Sequence, residues 1–286
     1  MATPDPVALF DSGEGGLTVL RHLVERFPGE HFIYAADSAH FPYGDKSLDT
    51  VRDWFLAFLQ FFVTQGARAV VIACNTATAA ALDAARDAVD IPVFGVVEPA
   101  AVRAARITGN GHVGVLSTLG TFDSGLYPQF LTRQNPDLQV VAKPCPILVT
   151  MAENGTVRGA SVEQEVRQCV TPVLEQGVDT IILGCTHFPH MREVFNHVVD
   201  GQAAIVDPGE EAADLLEQEL GLAPQHSSVS EVQAWTSGDP IRFRAIAHLL
   251  CPNIPLRAHP LIWKSGAVTE PENENLTEFD ATDDNS

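Results

Sequence analysis

Lysine is nearly missing: only Lys46, Lys143 and Lys264 occur, and all basic residues together number 17 against 37 Asp and Glu, for a formal net charge of −20. A field of that sign repels phosphate and argues against nucleic acid and anionic membrane surfaces as partners. None of the three lysines sits in a recognisable motif for a pyridoxal phosphate Schiff base. Long apolar runs are missing as well. The longest, Trp54 to Val63, is interrupted by Gln60 and is too short to span a bilayer. Met1 to Phe10 carries no basic n-region, so no export signal is expected and the chain is expected in the cytoplasm. Cysteine is sparse, odd in number and without a CxxC pair: Cys74, Cys145, Cys169, Cys185 and Cys251. That argues against a disulfide framework, and the His and Cys spacings do not suit structural zinc, so no metal is expected. The glycine-rich turn of residues 11–16 lacks the GxGxxG spacing, since Ser12 and Glu14 do not supply it, and no GKS/T occurs, which disfavours a dinucleotide or ATP. Acid in such excess over lysine suits a salt-rich cytoplasm, where screening relieves self-repulsion.

What is present is a chain able to bury a large core, with 45% of its residues hydrophobic. Short apolar runs read as buried strands at Val7 to Phe10, Phe32 to Ala36, Ala69 to Ala73, Pro92 to Val97, Val113 to Leu116, Gln139 to Ala142, Thr180 to Gly184 and Ala204 to Val206. Amphipathic stretches such as Leu17 to Phe27, Leu48 to Gln65, Ala77 to Val89, Val162 to Gln176 and Glu210 to Leu220 lie between them. Alternation of this kind predicts parallel α/β units, in which ligands sit beyond the carboxyl ends of the strands. After Pro208 a further strand at Val232 to Trp235 and a helix to Leu250 are expected, followed from Ser265 to Ser286 by an acidic, disordered tail without Lys or Arg.

The chain also repeats itself. Cys74 ends one strand and Cys185 another; Asp11 precedes the first Cys by 63 positions and Ser117 the second by 68; Glu98 follows the first by 24 and Asp207 the second by 22. Landmarks in the same order at similar spacing predict two related halves. If those halves face each other, the two thiols approach one bound molecule from opposite sides, and one can remove a proton that the other returns. Two small hydrophobes buried at strand ends is the alternative, the usual role of a free Cys. The glycine-rich turn Asp11-Ser12-Gly13-Glu14-Gly15-Gly16, between a strand and a helix, offers backbone N–H groups to a carboxylate. Pro42-Tyr43-Gly44 lies in a long loop. Asn75-Thr76 and Thr186-His187 supply neutral donors and acceptors beside each Cys. His187 and Asp11 are placed to tune their neighbouring thiols.

Seven blocks then bear a resemblance. FDSGEGGLTVL (Phe10 to Leu20), ADSAHFPYGDKS (Ala36 to Ser47), VIACNTATAAALD (Val71 to Asp83), PVFGVVEPA (Pro92 to Ala100), VGVLSTLGT (Val113 to Thr121), ILGCTHFP (Ile182 to Pro189) and WTSGDPIRF (Trp235 to Phe243) resemble the cofactor-independent aspartate/glutamate racemase family. The resemblance implies two pseudo-symmetric, doubly wound parallel-sheet α/β domains, residues 1–98 plus 208–264 and residues 99–207, with the active site between them and the tail outside. It implies interconversion of L- and D-glutamate for peptidoglycan synthesis without a cofactor. Cys74 and Cys185 would be the paired acid/base residues, Asp11 and His187 would assist them, and Glu153 in MAENG would be an acid near the second half-site. Implied substrate contacts are Asp11, Ser12, Tyr43, Gly44, Asn75, Thr76, Thr186 and His187, with Thr118 and Thr121 from the STLGT turn. Glu14 departs from the family pattern, which has an apolar residue there, as do Ala36 and His40 near PYG. Cys145, Cys169 and Cys251 match no catalytic motif and are expected to be buried. A homodimer is expected on general grounds. Rivals are an aspartate racemase using the same chemistry and a non-catalytic binding relative.

Overall fold

The structure is a computed structural model that describes residues 5–223 and 230–271. In chain order it begins with β1 (Val7–Asp11), α1 (Leu17–Arg26), β2 (His31–Ala36), α2 (Leu48–Thr64), β3 (Ala69–Ile72), α3 (Asn75–Ala88), β4 (Val93–Gly95) and α4 (Val97–Ile107). There follow β5 (His112–Ser117), α5 (Leu119–Ser124), α6 (Leu126–Gln134), β6 (Gln139–Pro144), α7 (Pro146–Glu153), α8 (Ala160–Leu174), β7 (Thr180–Gly184), α9 (Arg192–Val199) and β8 (Ala204–Val206). The chain then returns through α10 (Pro208–Leu220), β9 (Glu231–Thr236), α11 (Pro240–Leu250), β10 (Leu256–Pro260) and the hairpin of β11 (Ile262–Lys264) and β12 (Ala267–Thr269).

Two parallel sheets result. The first has the order β10-β9-β2-β1-β3-β4 and the second β6-β5-β7-β8. The order β2-β1-β3-β4 thus recurs as β6-β5-β7-β8, and β3 and β7, which lead into Cys74 and Cys185, occupy equivalent places. Helices cover both faces of each sheet, so the central strands read as continuous apolar runs. Alternate residues still divide by face: Val7 and Leu9 join one core and Ala8 and Phe10 another, while Ile181 and Leu183 part from Ile182 in the second sheet. Phe10 is fully buried with its ring 5.0 Å from Phe55, and its loss to Ala would cost about 3–5 kcal/mol. Helix starts follow local chemistry. Ser47 caps α2 by accepting the Thr50 N–H at 3.2 Å, and Asp239, just before Pro240, caps α11 through the Ile241 N–H at 2.8 Å.

Several expectations need correction. The apolar run Pro92 to Val97 is strand only over Val93–Gly95, because Val97 already opens α4. The tail does not start at Ser265: β12 pairs with β11 and buries Val268 against the α2 side of the first sheet, although only Ala267–Thr269 of that stretch is strand. The expected disorder of residues 272–286 lies outside the described residues. Strand β10 carries Pro260 and only partly buried side chains, a weak alternation typical of a sheet edge.

Candidate active site

The loops at the carboxyl ends of the strands converge on a cavity of about 350 Å³ between the two sheets. Ser12 comes from the turn after β1, Phe41 to Asp45 from the loop after β2, Cys74 to Thr76 from the end of β3, Thr118 and Leu119 from the end of β5, Pro144 with Pro146, Val149 and Thr150 from the end of β6 and the helix after it, and Cys185 to His187 from the end of β7. The loops meet tightly. A Cβ on Gly15 would stand 2.6 Å from His187 Nδ1, and one on Gly44 would stand 2.7 Å from Thr118 Cβ, so both positions need the bare backbone for the halves to close.

Cys74 begins α3. Its sulfur accepts the Ala77 N–H at 3.5 Å, and its thiol lies 3.8 Å from Ser12 Oγ as donor. Burial first, then the neighbouring Asp11 carboxylate, push the thiol up to about 12. Asp11 is itself fully buried, which raises its carboxyl to about 6 against the opposing pull of His187 and of the Gly13 N–H, donated to Oδ1 at 3.0 Å.

Cys185 has different surroundings. Its sulfur lies 3.6 Å from His187 Nδ1, and the other ring nitrogen of His187 makes a very short contact with Glu153 Oε2. Burial works against a charged His187 ring, but Glu153 and Cys185 outweigh it and hold the imidazole well above its ordinary range. Burial likewise opposes ionisation of Glu153, and His187 together with hydrogen bonds from His187 and Glu14 overcomes it, leaving the carboxyl at about 2. Thr186 donates its hydroxyl to Asp11 Oδ2 at 3.0 Å, and Thr18 donates to the Thr186 carbonyl at 3.0 Å. Among the described residues no Lys or Arg lines the cavity, so the positive side chain on its wall is the His187 imidazolium.

Neutral groups complete the wall. Tyr127 donates to Asn75 Oδ1 at 2.7 Å, which fixes the amide and leaves its buried Nδ2 without a partner among the described residues. Thr76 Oγ1 lies 2.9 Å from Thr118 Oγ1 and 3.1 Å from Thr121 Oγ1. Tyr43 donates to Asp37 Oδ2 at 2.7 Å, and the other oxygen of Asp37 accepts from Ser237 at 2.6 Å and from the Trp263 indole at 3.0 Å.

Of the residues expected at the site, Ser12, Tyr43, Gly44, Cys74, Asn75, Thr76, Thr118, Cys185, Thr186 and His187 line the cavity. Asp11, Thr121 and Glu153 stand behind its wall and act on Thr186, the Thr76–Thr118 pair and His187 respectively. Sequence reasoning missed the apolar wall made by Phe41, Pro42, Leu119, Pro144, Pro146 and Val149, whose contributions come from separate loops. It also missed Asp37, which has the appearance of a turn residue, and the contact between Glu14 and Glu153; the one available signal for the latter was an acid in a turn expected to be apolar. Cys145, Cys169 and Cys251 are buried free thiols. None of the three lysines is on the wall, so a Schiff base has no amine to form on there. Among the described residues no cluster of His, Cys, Asp and Glu is arranged to hold a metal ion.

The model for the Asp/Glu/Hydantoin racemase family matches residues 12–216 of the chain. The glutamate racemase of Symbiobacterium thermophilum is 47% identical over 267 residues, covering 91% of this chain and 96% of that one. A glutamate racemase isoform from Bacillus anthracis has a TM-score of 0.84 at 31% identity, over 93% of this chain and 99% of that one. The glutamate racemase of Francisella tularensis, solved in complex with D-glutamate, has a TM-score of 0.81 at 29% identity, over 91% and 97% of the two chains.

Proposed function

The chain belongs to the Asp/Glu/Hydantoin racemase family, and from that premise we propose that it interconverts L- and D-glutamate by proton transfer between two thiols. The observation that carries this is the pair Cys74 and Cys185, at the ends of equivalent strands in two sheets of repeated order, on one cavity. A thiolate on one side takes the α-proton: an S–H bond forms, the Cα–H bond breaks, and the electron pair spreads into the adjacent carboxylate. The thiol opposite then gives its proton to the other face of the carbon and ends as the thiolate. Reversal uses the same two groups in exchanged roles, which is what interconversion of mirror images requires.

Binding falls to donors that carry no net charge, apart from His187. The free Nδ2 of Asn75, the hydroxyls of Ser12, Thr76 and Thr118, and the N-terminus of α3 are suited to the substrate carboxylates. The apolar wall excludes water and strengthens each of these interactions. Asp11 and Glu153 serve as positioning residues for Thr186 and His187. In the same proposal Thr121 steadies Thr76 and Thr118.

The reading extends to the supply of D-glutamate for peptidoglycan, a cytoplasmic location, a homodimer and domains of residues 1–98 plus 208–264, the latter carried on through β12, and 99–207. Support for the division comes from the two sheets; for the location, among the described residues no helix is long and apolar enough to cross a membrane. Circular dichroism of L-glutamate and, in parallel, L-aspartate with purified protein in D₂O tests the activity. Decay of the glutamate signal with deuterium entering the α-carbon is expected. Decay with aspartate alone would reassign the substrate, and no decay or exchange with either would leave a binding protein.

A further inference from the structure

Asp37 does not line the cavity, yet its side chain is fully buried at the end of β2, where a charge is costly unless its oxygens are hydrogen-bonded. Both oxygens are filled. Oδ2 accepts the Tyr43 hydroxyl at 2.7 Å and has His40 Nδ1 at 2.8 Å, while Oδ1 accepts the Ser237 hydroxyl at 2.6 Å and the Trp263 indole N–H at 3.0 Å. The two oxygens serve different parts of the chain. Tyr43 and His40 belong to the loop after β2, which forms one wall of the cavity, whereas Ser237 and Trp263 belong to the segment that returns after β8. One carboxylate therefore joins the carboxyl-terminal hairpin to the site.

The backbone around this carboxylate is pinned. The Asp37 N–H donates to the Asp11 carbonyl at 3.0 Å, the Ser237 N–H to the Ala36 carbonyl at 3.0 Å and the Leu261 N–H to the Thr236 carbonyl at 2.7 Å. Trp263 has little freedom either. Its ring stands edge-on to His40 at 4.9 Å and to Phe58 at 5.7 Å, His40 stacks on Trp54 at 4.1 Å, and buried Leu261 and Val268 seat the hairpin in the same core. We propose that Asp37 is a positioning residue for glutamate binding, through which Trp263 and Ser237 set the place of Tyr43 and Gly44 in the cavity wall.

Tyr43 transmits the placement. Burial, then the Asp37 carboxylate, hold its phenol well above the ordinary range, so the hydroxyl stays a donor and stays committed to Asp37. What Tyr43 offers the cavity is its ring and the position of the next residue. A Cβ on Gly120 would stand 3.2 Å from the Gly44 carbonyl oxygen, and one on Gly44 would meet Thr118 more closely still, so Gly44 abuts the second half of the site. Thr118 Oγ1 in turn lies 2.9 Å from Thr76 Oγ1. Displacing Tyr43 thus displaces the wall from which both threonines reach the substrate. Cys74 and Cys185 bond to Ser12, Ala77 and His187 instead of to this network, which confines the role to substrate affinity and leaves proton transfer to the thiols.

The inference rests on the racemase reading, and the test keeps the two apart. Trp263→Phe keeps a ring and removes the N–H; Asp37→Asn keeps the shape and turns one acceptor towards groups that are themselves donors. KM for glutamate should rise about fivefold in the first and at least about tenfold in the second, with kcat within about twofold of the wild type, the scale of one lost hydrogen bond. Tyr43→Phe should raise KM about fivefold as well, and combining it with Trp263→Phe should add no more than about twofold, because both act through one carboxylate. Effects that multiply to about 25-fold overturn the proposal, as does a Trp263→Phe protein that melts lower with an unchanged KM, the result expected of packing alone. If Trp263→Phe does not fold, Ser237→Ala removes the other donor to the same oxygen, and an unchanged KM there overturns the proposal equally. Fluorine NMR of protein labelled with 3-fluorotyrosine reads the link without turnover. The Tyr43 resonance, assigned with Tyr43→Phe, should move in Trp263→Phe while those of Tyr34 and Tyr127 stay in place; an unmoved Tyr43 resonance overturns the link. A wild type inactive on glutamate whose Tyr43 resonance still follows Trp263 overturns the substrate reading and upholds the link from the hairpin to the cavity wall.

Discussion

Thr186 donates its hydroxyl to Asp11 Oδ2 at 3.0 Å, and this bond joins the loop after β7 in one sheet to the end of β1 in the other. Asp11 is fully buried, so the bond is made where an unpaired carboxylate oxygen is costly. Thr186→Val should lower kcat/KM for glutamate at least about tenfold and reduce stability by about 1.5–3 kcal/mol, the range for a hydrogen bond to a charged group. Thr186→Ser should restore most of both. Steady-state kinetics and scanning calorimetry check the pair, and a Val variant with wild-type values would remove the bond from the site's energetics.

The two thiols are predicted to act on opposite faces of one carbon. Cys74→Ser and Cys185→Ser should each abolish racemisation while leaving exchange of the α-hydrogen with solvent for one enantiomer, a different one in each variant. Proton NMR of each glutamate enantiomer in D₂O reads this directly. Exchange of both enantiomers in either variant is incompatible with one thiol per face.

Stability should respond to pH in a direction opposite to that of an ordinary ion pair. Glu14 ionises near 4.5 when unfolded and near 9 when folded, so between those values the folded state holds the extra proton and stability declines as pH rises. Asp11 adds a decline of the same sign between 3.8 and about 6. Glu153 works the other way, its contribution being present above 4.5 and lost as pH falls towards about 2. Glu14→Gln should therefore melt above the wild type at pH 8 and converge with it at pH 4. A constant difference across that range would mean that Glu14 does not carry the proton.

Tyr127 fixes the Asn75 amide without reaching the wall itself. Tyr127→Phe frees the amide to rotate, and KM should rise about three- to tenfold with a smaller change in kcat, at a stability cost of about 1 kcal/mol. A change confined to kcat would place Asn75 in the chemical step.

Salt should stabilise the protein. At a net charge of −20 the surface repels itself, and screening shortens from about 10 Å at 0.1 M to about 3 Å at 1 M. The melting temperature should rise between 0.1 M and 2 M KCl; a flat or falling curve would detach the acidic composition from any salt requirement.

How much of this was readable in the sequence depends on how far apart the partners lie. The runs ending at Cys74 and Cys185 announced buried parallel strands, because β3 and β7 are apolar throughout, and the strand-end position of each Cys followed. Cys74 proved to be the cap of α3, three residues upstream of the expected helix start, since Asn75 and Thr76 carry no period that separates loop from first turn. Glu14 and Glu153 are 139 residues apart and Asp37 and Trp263 are 226 apart. No local pattern links either pair, and only the closed fold makes a buried acid in a glycine turn intelligible. Strand β10 was missed because an edge strand lacks the alternation that central burial imposes.

Strand β9 lies between β2 and β10, although it is made long after β2. A ribosome therefore delivers both thiols, and nearly the whole second sheet, while β2 is still an open edge. During that interval Asp37 lacks Ser237 and Trp263, and the carboxylate that holds Tyr43 is braced by His40 without them. Competence thus waits for β9 and the segment that carries Trp263. A chain halted after β8 would carry every cysteine of the catalytic pair and an unfinished pocket, which makes the returning segment after β8 the checkpoint on the strands before it.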